Sequence, residues 1–293
     1  MTTTTRRASL TIDGRERTFT VVSGTPTPHP RDLVLIFHGS RQNADAHRKF
    51  TGGSFDALAD SGAAVVVYLD GFRGNWNDSR RESYFPARLE NIDDVAFARA
   101  VMAEIESSEG TDPARVFALG YSNGGQMVMR LVHEAGELLA GAAIFSATMP
   151  APDGFITPPA GAAVTPIPVL LIHGTRDPIV PFEGGTMSRL AQKMFKVGGS
   201  TLSMPATAEY FARRNGMTVT AVTRQLPSTA TKTSVDQTDY VELGLPPVRL
   251  LTVHGAGHTI PGPKTAPFIL GRTHTDLSTA DSVAEFFDLG RSR

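Results

Sequence analysis

The chain has 293 residues, of which 41% are hydrophobic and 19% are charged, so it can bury a sizeable core, which argues against a disordered chain. Lysine and arginine total 28 against 29 for aspartate and glutamate, and this net charge of -1 gives no electrostatic support for a nucleic-acid or anionic-membrane partner. The absence of cysteine excludes disulfides, thiolate metal sites and cysteine nucleophiles.

The first predicted element is a hairpin. Asp13-Gly14 favours the positive φ angles of a tight turn, and the flanking segments 10–12 and 18–22 alternate in polarity. Six short, nearly continuous apolar runs follow, and such runs are typical of parallel strands that are covered on both faces. These runs are residues 33–37, 63–69, 116–119, 142–145, 169–172 and 250–253.

Helices are predicted between these strands. Apolar residues keep helical spacing after Asn91, and further helical segments are residues 124–135, 207–214 and 280–287. Alternating strands and helices predict right-handed crossovers and one open, mostly parallel α/β sheet with helices on both faces. Residues 150–168 are expected to form an irregular loop, and residues 182–205 an irregular loop or a loose helix, both lid-like and at the carboxyl edge of the sheet. We expect residues 1–293 to form a single domain, because no segment has the composition of a linker.

The strongest local motif is Gly120-Tyr121-Ser122-Asn123-Gly124. It follows an apolar strand and precedes a predicted helix, which is the context of a nucleophile elbow that exposes the serine hydroxyl. The helix N-terminus also directs unpaired N–H groups at developing negative charge. A glycine-rich turn without a catalytic role is the alternative interpretation. The context favours Ser122 as a nucleophile.

A serine nucleophile needs a base, and the base needs an orienting acid. Asp177 lies in the loop after strand 169–172, although it could also be a surface residue that starts a turn. His258 lies in a small-residue loop after strand 250–253, and His254, at the strand end, is its competitor. Ser122, Asp177 and His258 follow the chain order Ser, Asp, His of a nucleophile-elbow hydrolase.

An oxyanion hole is predicted on the same edge. Strand 33–37 runs into His38-Gly39-Ser40-Arg41, and the backbone N–H of Ser40 is the expected donor, with Arg41 left open as an alternative. The N–H of Asn123, which follows the nucleophile, is the expected second donor. We expect His38 to brace this loop.

With these motifs the sequence resembles the α/β-hydrolase superfamily, and more narrowly the group of polyhydroxybutyrate depolymerases, feruloyl esterases and small LpqC-like esterases. The resemblance implies the α/β-hydrolase fold and serine hydrolysis of carboxylic esters, with Ser122, Asp177 and His258 as the triad. The matching segments span most of the chain: Leu35-Ile-Phe-His-Gly39, Asp70-Gly71, Trp76-Asn77, Asp93-Asp94-Val95-x-Phe97, Gly120-Tyr-Ser-Asn-Gly-Gly125, His173-Gly-Thr-x-Asp177, Ala208-x-x-x-Ala212-x-x-Asn215-Gly216 and Gly255-x-Gly257-His258-Thr-x-Pro261-Gly262.

The chain departs from the family at two positions. Ser40 stands where members often have cysteine, and Ile260 stands where many have tryptophan. Trp76, Tyr121 and Phe182 are candidates for the substrate pocket, with plain packing as the alternative. The departures weaken any expectation of an insoluble polymer as substrate.

The predicted function is a serine carboxylesterase that forms an acyl-enzyme on small or oligomeric esters. No metal or other cofactor is predicted, because the sequence has no His-Glu-x-x-His, Walker or dinucleotide motif. The ester substrate is the expected partner. The alternatives are an acyltransferase, an amidase or peptidase with the same triad, and a non-catalytic binding module. No apolar leader follows Arg6 and Arg7, so a cytoplasmic location is expected, although many relatives are secreted.

Overall fold

The computed structural model describes residues 3–25, 29–156, 164–187, 192–193 and 195–290, and a ten-stranded sheet runs through it. Its strands are β1 (Thr4–Ile12), β2 (Arg15–Ser23), β3 (Arg31–Phe37), β4 (Ala64–Leu69), β5 (Thr111–Tyr121), β6 (Gly141–Phe145), β7 (Val169–Gly174), β10 (Val222–Gln225), β11 (Ser234–Tyr240) and β12 (Val248–His254). A separate two-stranded ribbon consists of β8 (Gly185–Thr186) and β9 (Ser200–Thr201).

The helices lie on both faces of the sheet. They are α1 (Ala44–Thr51), α2 (Pro86–Leu89), α3 (Asp94–Glu109), α4 (Asn123–Glu134), α5 (Met204–Arg214) and α6 (Thr279–Phe287), with short 3-10 turns at Ser54–Ala59, Gly136–Leu138 and Phe268–Leu270. The apolar side chains of α3, α4 and α5 pack in one buried cluster, and those of α1, the first 3-10 turn and α6 pack in a second. No helix in the described ranges has the length and apolar character needed to span a membrane.

The strand order is β1-β2-β4-β3-β5-β6-β7-β12-β11-β10. The six strands from β4 to β12 in this order are parallel, and they contain the six predicted apolar runs. Alternate residues of these strands enter opposite clusters, as when Leu35 packs on one face and Ile36 on the other. The prediction of a mostly parallel α/β sheet is confirmed, and the carboxyl ends of the six strands share one edge.

Antiparallel strands complete the sheet at both sides. The predicted hairpin forms β1 and β2, with Asp13 and Gly14 at φ 49° and 72° in the turn. The pair β10 and β11 at the other side was not predicted, because β10 is wholly exposed and β11 carries mainly polar residues. Strands that bury so little surface have no regular pattern of apolar residues from which they could be predicted.

The predicted helices form with small shifts at their ends. The segment expected at 207–214 begins at Met204, where the side chain of Ser203 accepts from the Ala206 N–H. The loop predicted over 182–205 therefore holds the ribbon β8–β9 and the start of α5, while its residues 188–191 and 194 lie outside the described residues, as do 157–163 of the loop predicted over 150–168. Helix α1, capped by Asn43, was not predicted.

A buried ion pair ties the edge hairpin to the segment that precedes α3. The Arg17 guanidinium donates to one carboxylate oxygen of Asp94 at 2.6 Å, and the Asn77 N–H donates to the other at 2.7 Å. Burial raises the pKa of Asp94, while the charge of Arg17 opposes that rise. Because an unpaired charge is costly in a dry interior, Asp94 keeps both partners, and this fixes Asn77 beside the start of α3.

Candidate active site

Ser122 occupies a strained turn between β5 and α4. Its φ is 55° and its ψ is -115°, a region that side-chain-bearing residues rarely adopt and that costs about 1–3 kcal/mol. Its N–H donates to the Phe145 carbonyl at 2.9 Å, and its own carbonyl accepts from the Gln126 N–H at 3.1 Å. Both bonds hold the strained residue so that its hydroxyl stands between strand and helix.

The flanking glycines are required by close backbone approach. A Cβ at Gly120 would lie 2.2 Å from the Gly124 carbonyl oxygen, and a Cβ at Gly124 would lie 2.0 Å from the Phe37 carbonyl oxygen. Neither distance is compatible with any side chain, and neither clashing atom belongs to a flexible group. The Gly-x-Ser-x-Gly pattern is therefore a steric requirement of packing α4 against β3 and β5.

The structure brings together the three polar side chains that the sequence singled out. His258 Nε2 lies 2.9 Å from Ser122 Oγ, and His258 Nδ1 lies 2.6 Å from Asp177 Oδ2. His258 is 3% exposed and Asp177 is 8% exposed, so the hydrogen bond between them is buried, whereas the bond from His258 to Ser122 is partly buried. The hydroxyl, imidazole and carboxylate form one continuous hydrogen-bonded chain.

The carboxylate of Asp177 is held ionised. Burial opposes the charge, but the charge of His258 and its hydrogen bond, together with His173 and the N–H of Ile179, outweigh burial and lower the pKa of Asp177 below its ordinary value. The N–H groups of Ile179 and Val180 each donate to Oδ1 at 2.8 Å. An ionised Asp177 accepts a hydrogen bond from the N–H at His258 Nδ1, which keeps the proton on Nδ1 and leaves Nε2 free to accept the Ser122 hydroxyl proton.

His254, the competing histidine, faces elsewhere. Its Nε2 lies 2.8 Å from Asp236 on the neighbouring β11, and the pair is partly exposed. Tyr121 supports His258 from beneath, since its hydroxyl donates to the His258 carbonyl at 2.7 Å and the two rings lie 5.1 Å apart. The geometry therefore places His258, and not His254, at Ser122.

The loop after β3 faces Ser122 across a small cavity. The Arg41 N–H donates to the Gly74 carbonyl at 2.7 Å and is engaged there, whereas Ser40 and Asn123 both line the cavity. The Asn123 side chain is fixed on two sides, because its Oδ1 accepts from the Trp76 N–H at 3.0 Å and its Nδ2 donates to Asp78. Ser40 and Arg41 were the two candidates for the first oxyanion donor, and of these two Ser40 lines the cavity.

A buried histidine braces that loop. His38 Nδ1 contacts the Gly39 carbonyl at 2.7 Å, and His38 Nε2 accepts from the Gly71 N–H at 2.9 Å, so the proton sits on Nδ1. Burial lowers the pKa of His38 to about 4, which keeps the ring neutral near pH 7. The Trp76 indole donates to the His38 carbonyl at 2.9 Å and packs against its ring. The loop therefore has a single hydrogen-bonded arrangement.

We expect Trp76→Phe to lower kcat by about tenfold with little change in KM, because the His38 carbonyl loses its buried donor and the oxyanion loop loosens. Steady-state kinetics on a neutral aryl ester check this. Phe55→Leu, a change in an equally buried aromatic residue of the opposite cluster, is the matched control. A Trp76→Phe enzyme with wild-type kcat would contradict the assigned brace.

The cavity beside Ser122 is lined differently from the prediction. Trp76 is wholly buried, Tyr121 lies beneath His258, and Phe182 packs against His173, so none of the three lies among the described residues that line it. The contacts of all three are packing contacts, and a role for them in the substrate pocket stays a prediction. The lining consists of Ser40, Arg80, Phe85, Ser122, Asn123, Gln126, Ala147, Ile179, Val180, Met187 and Phe195. Arg80 and Phe85 come from the irregular segment between β4 and α2, which carries no periodic signal.

Comparison with known proteins agrees with this architecture. A family model described as Phospholipase/Carboxylesterase matches residues 77–207. The chain is 33% identical over 296 residues to the putative esterase NocK of Nocardia uniformis subsp. tsuyamanensis, covering 97% of this chain and 82% of that protein. It is 28% identical over 204 residues to a probable feruloyl esterase C of Aspergillus niger, covering 68% and 66%.

A solved structure supports the fold at low sequence identity. The acetyl xylan esterase from Aspergillus awamori superposes with a TM-score of 0.65, covering 97% of this chain and 99% of that chain at 15% identity. At that identity the likeness concerns the fold alone.

Proposed function

Because the chain belongs to the feruloyl-esterase-like family of α/β-hydrolases and is a carboxylic ester hydrolase, we propose that Ser122 is its nucleophile, His258 its general base and Asp177 the acid that orients the base. The single observation that carries this proposal is the hydrogen-bonded chain from Ser122 Oγ through His258 to Asp177, at 2.9 Å and 2.6 Å. We also propose that residues 1–293 act as one domain, since one sheet takes strands from both halves of the chain.

In the acylation step Ser122 Oγ attacks the ester carbonyl carbon while its proton passes to His258 Nε2. The carbonyl π electrons move to oxygen, and the backbone N–H groups of Ser40 and Asn123 hold the resulting oxyanion. Asp177 stabilises the imidazolium and keeps its orientation without accepting the proton itself. Collapse of the tetrahedral intermediate breaks the bond to the alkoxy oxygen, which takes the proton from His258 and leaves as the alcohol.

Deacylation repeats these steps with water. His258 Nε2 removes a proton from a water molecule, which attacks the carbonyl carbon of the Ser122 ester. The second tetrahedral intermediate collapses, Ser122 Oγ recovers its proton from His258, and the carboxylic acid leaves. One covalent intermediate separates the two halves of the reaction, so the alcohol is released before the acid.

Covalent labelling tests the proposed nucleophile. We expect a fluorophosphonate to add once per chain, with peptide mass spectrometry placing the adduct on Ser122, and 4-nitrophenyl butyrate to release a burst of up to one 4-nitrophenol per chain when deacylation is slow. The Ser122→Ala chain should neither label nor burst. An adduct on another residue, or labelling of Ser122→Ala, would overturn the assignment.

The substrate class needs a panel of esters. We propose small or oligomeric soluble esters, on the basis of relatives named feruloyl esterases and of a cavity with mixed polar and apolar walls. Aryl esters of graded acyl length, methyl ferulate and hydroxybutyrate oligomers separate the possible acyl groups. Matched anilides and added alcohol acceptors show whether amide cleavage or acyl transfer competes with hydrolysis.

A further inference from the structure

One charged side chain, Arg80, lies among the described residues that line the cavity beside Ser122. Its neighbours in the wall include Phe85, Ile179, Val180 and other apolar side chains, and its own side chain is 13% exposed. A largely buried guanidinium in a cavity with mixed polar and apolar walls has lost part of its hydration. Its interaction with a charged ligand there is stronger than at an open surface.

Arg80 is held from behind by a buried carboxylate. Asp78, fully buried, accepts from the Arg80 backbone N–H at 2.9 Å and from Nε at 3.2 Å, and it also pairs with Nη2. The Asp78 carboxylate also accepts a hydrogen bond from the side-chain amide of Asn123. Within the described part of the chain Nη1 has no acceptor, and the Arg80 side chain lines the cavity. The guanidinium is therefore fixed in place, with one donor group that has no acceptor among the described residues.

The charges around Asp78 do not balance. Arg88 donates to the Asp78 and Arg80 carbonyls, and Arg130 donates to the Asn77 carbonyl at 2.6 Å, so three guanidinium groups converge on this segment. With Arg17, whose partner Asp94 also accepts from the Asn77 N–H, there are four guanidinium groups among the described residues of this region. Three carboxylates pair with them: Asp78, Asp94 and the Glu134 that pairs with Arg130. The segment keeps one excess positive charge, and Arg80 is the member that reaches the cavity.

We infer that this cavity is a subsite for a carboxylate, so that the enzyme acts on esters that carry a free carboxylate on the acyl or the alcohol half. The inference rests on the proposed function, since it gives the substrate class of the Ser122 site. The substrate carboxylate accepts from Nη1 of Arg80 while the ester carbonyl lies between Ser122 Oγ and the N–H groups of Ser40 and Asn123. Charge-assisted bonds of this kind are among the stronger polar contacts in proteins.

Two pairs of esters test the inference, one for each half of the substrate. The acyl pair is the 4-nitrophenyl monoester of adipic acid and the same molecule with its free carboxyl methylated. The alcohol pair is the butyrate ester of 4-hydroxybenzoic acid and that of its methyl ester. The measured quantity is the ratio of kcat/KM for the anionic and neutral members, with phenol release corrected for hydrolysis without enzyme.

We expect a ratio of about 10 to 100 in one of the two pairs, which then identifies the half that carries the carboxylate. Arg80→Gln should bring that ratio to one or below, chiefly by raising KM for the anionic ester, and Arg80→Lys should retain part of it. Because the ratio compares two substrates of one variant, it cancels any loss of activity that affects both of them equally, such as the loss caused by a displaced Asn123. Arg81→Gln is the matched control, because Arg81 contacts the Phe155 carbonyl outside the cavity lining and should leave the ratio unchanged.

The outcomes separate this inference from the proposed function. Ratios near one in both pairs for the wild type, or a ratio that survives Arg80→Gln, overturn the carboxylate subsite while leaving the serine mechanism intact. Absence of hydrolysis for the neutral esters overturns the proposed function itself. If Arg80→Gln does not fold, the double variant Arg80→Gln, Asp78→Asn removes both charges of the pair and gives the same comparison.

Discussion

Replacing Ser122 with alanine is expected to lower kcat for ester hydrolysis by about 10⁶-fold, the loss seen when a serine hydrolase is deprived of its nucleophile. The reason is that His258 Nε2 contacts Ser122 Oγ at 2.9 Å. Among the described residues, no other hydroxyl forms a hydrogen bond with the His258 ring. The assay is 4-nitrophenyl butyrate hydrolysis at high enzyme concentration. Residual rates of about 10³ to 10⁴ over water are expected from the oxyanion donors and substrate binding alone.

The alanine variant should fold as the wild type does. Alanine adopts the strained φ of the elbow no less readily than serine, and the two backbone hydrogen bonds of residue 122 are retained. We expect its free energy of unfolding to lie within about 0.5 kcal/mol of the wild type by urea denaturation. Ser108→Ala, an exposed serine of α3 that donates to its own helix, is the matched control with full activity. A kcat within tenfold of the wild type for Ser122→Ala would reject the mechanism.

The sequence predicts the central sheet well for a physical reason. Strands β3, β4, β6 and β7 are buried at every position, so their residues form continuous apolar runs that stand out in any window. Strand β10, with every residue exposed, carries no such constraint and escapes prediction. Helix α1 escapes as well, since only three of its residues are buried and its mean character is polar.

The catalytic candidates were predictable for a related reason. Parallel strands end at one edge, so polar residues that directly follow β5, β7 and β12 must lie near one another. That argument locates Ser122, Asp177 and His258 without knowledge of any side-chain position. It does not reach the cavity wall, which includes residues from irregular segments whose path depends on buried polar contacts.

Trp76 illustrates the limit. Its place after β4 suggested the pocket, but its indole donates to the His38 carbonyl and its backbone N–H donates to Asn123. In the same irregular segment, Asp78 accepts a hydrogen bond from Asn123, and Arg80 lines the cavity. One irregular stretch therefore supports the loop after β3, the first residue of α4 and the substrate cavity together. Such a role depends on hydrogen bonds between distant segments, which composition and periodicity do not encode.

Asp177→Asn is expected to lower kcat by about 10⁴-fold while the three side chains keep their positions. Asparagine can present an N–H to His258 Nδ1, which moves the imidazole proton to Nε2 and removes the acceptor that Ser122 Oγ needs. Alternatively its carbonyl oxygen keeps the tautomer but no longer stabilises the imidazolium. Stopped assays across pH 6 to 10 measure the loss. Asp236→Asn, beside His254, is the matched control with an unchanged rate.

The same substitution has a pH signature in stability. The pKa of Asp177 is lower in the folded chain than in the unfolded one, because His258 and the Ile179 N–H outweigh burial. The ionised carboxylate therefore stabilises the fold fully above the unfolded pKa of about 3.9, and this contribution is lost as pH falls through the folded value. We expect the difference in free energy of unfolding between wild type and Asp177→Asn to shrink as the pH falls below about 4. A difference that instead grows on acidification would mean that Asp177 is protonated in the folded chain, and a protonated acid could not orient His258 as the serine mechanism requires.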